Sequence, residues 1–453
     1  MKGAIVWDDL ESGEVTELLV ALIRDACVND GDPDSGQEER AASTVEAYLG
    51  ERGESFEPHP GRRSVLYRVP GTDPGAPSIM LMGHTDVVPV SADGWSVDPF
   101  AGERSGGFVW GRGAVDMLNL TAAMAVVFKQ HLQGSTPRLP GDLLYLAVAD
   151  EEAAGTFGAR WLVENQWDSV KCDYLLTEIG TPMLRGQAGA GLPVTVAEKG
   201  PQWRRVIARG EPGHGSQPYA TANALLPVAE VVARLAASPA PVVISDEWRR
   251  FVAAWDPGDI ADDLLDPDRV DDAIDRMALD DLGLARWTHA CTHLTISPNV
   301  LQGGVKANVI PDNAQAEIDV RSLPGQEAAD VDDHFRKAIG PALEEEVEII
   351  TMEATAAAGS PPEGRLWDAL GAALDVLRPD AHLIPSLIPV ATDARFFRPK
   401  GTIAYGVGLF DDKVEFGDFL RMFHGHDERV SEDSLARTVA LLGMTIERFG
   451  SAT

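Results

Sequence analysis

With 453 residues, 44% of them hydrophobic and 24% charged, the chain has material for a sizeable core and exceeds what one hydrophobic core usually serves, so two domains are expected. Acidic residues outnumber basic ones 71 to 38, and the resulting net charge of -33 argues against nucleic acid or an anionic membrane as partner. Three widely spaced cysteines suggest neither a disulfide framework nor a cysteine-rich metal site; with no apolar h-region in "MKGAIVWDDLESGEV" and no apolar run approaching about 18 residues, a soluble cytoplasmic protein is expected.

In chain order, "GEVTELLVALIRDAC" (13–27) has apolar positions at helical spacing. Short runs rich in Val, Leu and Ile follow: "SVLYRV", "SIMLMGHTDVV", "DLLYLAVADEE" and "CDYLLTEIG". Helix-like "MLNLTAAMAVVFKQHL" and "GARWLVENQ" lie between the last three. Strands alternating with helices predict an α/β sheet. Near residue 196 the texture changes to the alternating "VTVAEKGPQWRRVIARGEPGH", then a helix-like "ALLPVAEVVARLAA" and a strand "NAQAEIDVRSL". Residues 246 to 286 are very acidic and helix-prone and read as a solvated elaboration. A helix-like "GRLWDALGAALDVL" restarts the first pattern. The expected organisation is a discontinuous main domain, 1–195 plus 354–453, with an inserted α+β domain over 196–353.

Chemistry-bearing residues gather where these strands end. His84 and Asp86 follow "IMLMG", Glu151 and Glu152 follow "LLYLAVAD", Glu178 follows "DYLLT", and Asp116 sits in "GRGAVDM" before a helix. An acidic turn between strand and helix is by itself ordinary, since carboxylates favour helix N-termini. Ligands of open α/β sheets, however, bind outside the carboxyl ends of strands, and so many acids delivered to one edge repel unless something positive sits among them. Histidine with Asp and Glu is the ligand set suited to zinc and neighbouring divalent metals.

Seven motifs in order, "GHTDVVPV", "GRGAVDM", "ADEEAAGTFGAR", "LLTEIG", "GEPGHGSQP", "NVIPDNAQAEIDVRSLPG" and "FHGHDERV", resemble the M20 metallopeptidase family, over roughly residues 80 to 430. That resemblance implies a zinc-peptidase-like catalytic domain, its central mixed sheet flanked by helices, plus an inserted lid and dimerisation domain. It implies two Zn²⁺ per chain, with Co²⁺ or Mn²⁺ as alternatives, held by His84, Asp116, Glu152, Glu178 and His424. Asp116 would bridge the ions, with Glu152 and His424 on one and His84 and Glu178 on the other. Asp86 resembles the carboxylate that orients the ligand imidazole, and Glu151 the general base. The motif "HGHDE" offers two imidazoles, and the family spacing of four residues before Glu selects His424 over His426.

From the inserted domain, His214 resembles the histidine that reaches the other subunit's site to stabilise the oxyanion, which implies a homodimer. Asn308 and Arg321 resemble substrate-facing residues, Arg321 being suited to a bidentate grip on a carboxylate. Gly406 and Gly408 resemble the loop whose backbone approaches that carboxylate. The implied activity is hydrolysis of an N-acyl amino acid or short peptide with a free carboxylate, by metal-activated water. Glu178 matches the aminoacylase, desuccinylase and carboxypeptidase members, where many dipeptidases carry aspartate. Acyl transfer at the same site is one alternative; a binding protein without turnover is another, against which the intact ligand set and Glu151 speak.

Overall fold

The apolar runs assemble into one mixed sheet of ten strands. The structure, a computed structural model, describes Trp7 and residues 12–451. Residues 1–6 and 8–11, part of the stretch read above for a leader, lie outside the described residues. The sheet order is Glu54–Phe56, Ser64–Val69, Leu143–Val148, Ile79–His84, Tyr174–Thr177, Ile403–Gly406, Gly189–Glu198 and Ala358–Gly359. Ala381–Ile388 and Leu184–Gly186 also pair with Gly189–Glu198.

Ile79–His84 and Leu143–Val148 are buried along their whole length, as strands covered on both faces must be. Their side chains alternate between two cores. Ile79, Leu81, Leu143 and Tyr145 join the larger cluster, under helices Gly13–Asp25, Leu118–Leu132, Arg365–Leu377 and Glu432–Ser451. Met80, Met82, Leu144 and Leu146 face the smaller one, under Ala159–Asn165 and Ala394–Phe397. Because the two strands run parallel with His84 opposite Val148, they end level. Asp86 and the Asp150–Glu152 turn therefore leave the sheet at the same edge, and Glu178 follows the neighbouring parallel strand there.

A second, five-stranded antiparallel sheet contains Gly200–Pro201, Arg204–Arg209, Thr295–Gly303, Asn313–Ser322 and Glu348–Thr351. Strand Asn313–Ser322 alternates in burial because only one face is covered, by helices Leu225–Ala237 and Ala328–Ile339. The main-sheet strand Gly189–Glu198 runs across position 195/196. Next to it Lys199 is fully buried, and its ammonium donates to the carbonyls of Ala290 and His293 and to Thr295 Oγ1 at 2.8 to 3.0 Å.

The acidic segment is not wholly a solvated face. Trp248, Phe251, Val252 and Trp255 recur at i, i+3, i+4 and i+7 of helix Asp246–Trp255, an apolar stripe that packs on strand Ala381–Ile388. Helix Leu282–Thr292 adds Trp287, 4.7 Å from Phe251 between ring centroids. All of these are buried in the main-sheet cluster, while acids such as Asp268, Asp272 and Asp275 face out. No described helix is long and apolar enough to cross a membrane.

Candidate metal centre

At the edge where the strands end, Asp116 stands between two imidazoles. Its Oδ1 is 3.3 Å from His84 Nε2, and its Oδ2 is 3.3 Å from His424 Nε2. His84 Nε2 is also 3.6 Å from Glu178 Oε2, and His424 Nε2 is 3.3 Å from Glu152 Oε2. The five residues thus fall into two triads that share one carboxylate: His84, Glu178 and Asp116 on one side, His424, Glu152 and Asp116 on the other. Glu151 lies close as well, since ligand atoms of His84, Glu151 and Glu178 come within 4.8 Å of one another. Its Oε1 is 3.6 Å from Arg395 Nη1.

Two buried carboxylates hold this arrangement by accepting backbone N–H groups. Asp86 accepts from the amides of Glu151 and Glu152 at 3.2 and 3.1 Å and from Asn29 Nδ2 at 2.8 Å. His84 Nδ1 is nearer the Asp86 carbonyl, at 2.9 Å, than its carboxylate, at 3.6 Å. Asp86 therefore fixes the paired glutamates at least as directly as it orients the imidazole. Glu428 does the same for Asp116: its carboxylate accepts from the amides of Gly113, Val115 and Asp116 at 2.6 to 3.1 Å and from Arg112 Nη1 at 2.8 Å. Beneath Glu151, Asp150 has φ +69°, a left-handed turn, and is anchored by Phe157 N and by the buried Arg62, which also pairs with Glu38.

Replacing Glu428 with Ala leaves those amides and Arg112 without their acceptor. Metal affinity is expected to fall about 10- to 100-fold, the usual cost of losing a partner that orients a ligand. Equilibrium dialysis against zinc measures it, and Glu428→Gln, which keeps an acceptor oxygen, should lose less.

The charges here fit cations. Burial, then the neighbouring Glu178, pushes the Glu151 carboxyl far above its usual range. Burial, then Asp116, raises Glu152, and burial lifts Glu178 to about 8. Burial opposes charge on His424, yet hydrogen bonds to Asp116 and Glu152 hold it at about 11. A cluster that grips protons this tightly has the charge deficit that divalent ions satisfy. Glu152 Oε1 is also buried with no hydrogen-bond partner among the described residues. The donor set, two imidazoles with carboxylates, suits zinc-type metals.

The profile of peptidase family M20/M25/M40 matches residues 80–448. The chain belongs to this family. It is a hydrolase of amide or peptide bonds, from a family of metallopeptidases with dimetal sites. It is 27% identical over 447 residues to aminoacylase-1 of Mus musculus, covering 95% of this chain and 94% of the relative. With an N-fatty-acyl-amino acid synthase/hydrolase of Xenopus tropicalis it shares 28% over 395 residues, 83% of this chain and 73% of that one. Its fold is similar to that of an M20 family metallo-carboxypeptidase from Sulfolobus solfataricus, with a TM-score of 0.74 and 16% identity over 97% of this chain and 100% of that one.

The remaining predicted residues of this M20 chain divide by location. Arg321 lines the metal cavity, of about 350 Å³, with Asp116, Glu151, Glu152, Glu178 and His424. Its guanidinium is already engaged by Asp319, at 2.9 to 3.3 Å. Arg395, not singled out from the sequence, lines the same cavity, and its Nε has no hydrogen-bond partner among the described residues. His214 and Asn308 do not line that cavity. Both are exposed and sit together at the ribbon of Gly213–His214 and Val309–Ile310, Asn308 just before its second strand, with Gly215 N donating to Asn308 O at 2.8 Å. Gly406 and Gly408 are buried and do not line it either: a Cβ on Gly406 would collide with the Glu178 carbonyl. Close approach of backbone to backbone behind Glu178 is what Gly406 permits here.

Proposed function

We propose that this hydrolase cleaves an N-acyl amino acid, or a short peptide, beside a free carboxylate, using two zinc ions, with cobalt or manganese able to replace them. His84, Glu178 and Asp116 would hold one ion, and His424, Glu152 and Asp116 the other. The observation that carries this reading is Asp116, which turns one oxygen to each imidazole. When bound, such a pair of ions lowers the pKa of water and polarises a carbonyl oxygen.

The protein's own groups do the rest. Glu151, set on the cavity wall by the hydrogen bond its backbone N–H donates to the Asp86 carboxylate, takes the proton of the attacking water and passes it to the departing nitrogen. Arg321 and Arg395 bring positive charge to the same cavity for the substrate carboxylate. The mouse aminoacylase-1 and the Xenopus tropicalis N-fatty-acyl-amino acid synthase/hydrolase, each aligned along most of this chain, are named for acyl amino acid chemistry, which supports this substrate class.

The five-stranded sheet and its helices form the proposed lid and dimerisation unit within 196–353. The same unit as His214 exposes Tyr219 at 95%, Val305 at 91% and Leu226 at 67%, apolar side chains of the kind a second copy covers. Free, buried Cys27, Cys172 and Cys291 accord with a cytoplasmic location.

The test is a panel of N-acetyl, N-succinyl and N-carbamoyl amino acids and dipeptides, assayed with zinc, cobalt or manganese. Hydrolysis of acyl amino acids is expected, with two ions per chain by elemental analysis and loss of turnover after chelation. Turnover that survives removal of all metal overturns the proposal.

A further inference from the structure

A second cavity, of about 520 Å³, adjoins the metal cavity, and the two share Ile179, Val390 and Phe423 as walls. Ile179 follows Glu178 and Phe423 precedes His424, so the shared walls begin one residue from a metal-type side chain in each triad. The rest of the lining includes Trp287 and Ala290 of helix Leu282–Thr292 and Phe416 and Leu420 of helix Phe416–Leu420. Trp287 and Phe416 are buried and meet edge to face at 5.8 Å. In a chain with 71 acidic residues, this cavity has none on its walls. Arg321 and Arg395 line only the metal cavity; the charged residues at the second one are the exposed Arg286 and Arg421.

We propose that the second cavity is the acyl subsite, taking a linear acyl chain of medium length from the substrate. The inference rests on the reading that the substrate is an N-acyl amino acid. Such a molecule carries a carboxylate on one side of the scissile amide and an acyl chain on the other. Arg321 and Arg395 stand half-buried and buried among the metal-type side chains, whereas Arg286 and Arg421 are exposed where they border the second cavity, Arg421 being paired with Asp418, so the carboxylate stays in the metal cavity and the apolar chain has the acid-free cavity as its surroundings. Binding sites of a few hundred Å³ lined by apolar and aromatic groups are the usual form of a pocket for such a group. Trp287, from a helix next to the acidic elaboration, thereby acquires a role in substrate selection.

The experiment compares kcat/KM for N-acetyl, N-butyryl, N-hexanoyl and N-octanoyl derivatives of one amino acid, alongside calorimetric titration of the zinc-loaded enzyme with octanoate and with acetate. Each added methylene is expected to raise kcat/KM about fourfold until the cavity fills, the equivalent of about 0.8 kcal/mol per buried methylene. Octanoate should bind well over tenfold tighter than acetate. Ala290→Phe, which puts a ring into the cavity, should cut the octanoyl-to-acetyl ratio more than tenfold. A kcat/KM that is flat or falls with acyl length, or that follows the amino-acid side chain instead, overturns the subsite, as does equal binding of octanoate and acetate. Tight octanoate binding abolished by Ala290→Phe, with no acyl amino acid hydrolysed, supports the subsite and faults the proposed reaction instead. The wild-type series and titration decide the matter even where the variant does not fold.

Discussion

Glu151→Gln is expected to keep its full metal content and lose kcat by about a thousandfold, while Glu152→Gln loses metal first and activity with it. Proximity does not separate the two, because both lie within ligand distance of His84. Their partners do. Glu152 Oε2 is 3.3 Å from His424 Nε2, in the triad completed by Asp116, and its other oxygen is buried with no partner among the described residues. Glu151 instead faces Arg395, whose guanidinium keeps a carboxylate aligned without binding it to a metal. General acid–base catalysis contributes about 100- to 10,000-fold, so an isosteric amide that cannot carry a proton should cost a factor in that range. Elemental analysis and kcat on the two variants make the comparison. Equal metal loss in both would exchange or merge their roles.

What could be read in the sequence is what lies contiguously along it. His84, Glu151, Glu152 and Glu178 each directly follow an apolar run, and parallel strands that end level bring such residues to one edge. The groups that hold them are not contiguous. Glu428 reaches Asp116 across more than three hundred residues, and nothing local to "HDERV" announces that its acid caps the loop "GRGAVDM". Asp86 was legible as a motif position, but its bonds to the amides of Glu151 and Glu152 depend on a turn that only the fold creates. The density of acids in 246–286 obscured the tryptophan stripe of helix Asp246–Trp255, although its spacing was there to be counted. Gly406 shows the opposite case. A glycine at a strand end is compatible with approach to a ligand or to another strand, and here the neighbour is the carbonyl of Glu178.

His214→Ala, inactive alone, should regain activity when mixed with inactive Glu151→Gln. His214 is exposed, holds Ser216 Oγ at 2.7 Å through its Nδ1, and lies outside the cavity of its own chain. In the proposed dimer, an imidazole placed there would act on catalysis by entering the second copy's site. The exposed Tyr219, Leu226 and Val305 of the same unit offer apolar surface for that copy. A donor already in place for the developing oxyanion is worth about 100- to 1,000-fold, so each single variant should be nearly dead, one for want of the proton carrier and one for want of the donor. In a two-fold dimer that shares sites this way, the mixed dimer has one site with both residues intact and one with neither. Random reassortment makes half the dimers mixed, and about a quarter of the wild-type rate should return. Light scattering gives the oligomeric state, and tagged subunits show whether exchange has occurred. A fully active monomer, or mixtures that exchange subunits and stay inactive, would leave His214 without a catalytic part.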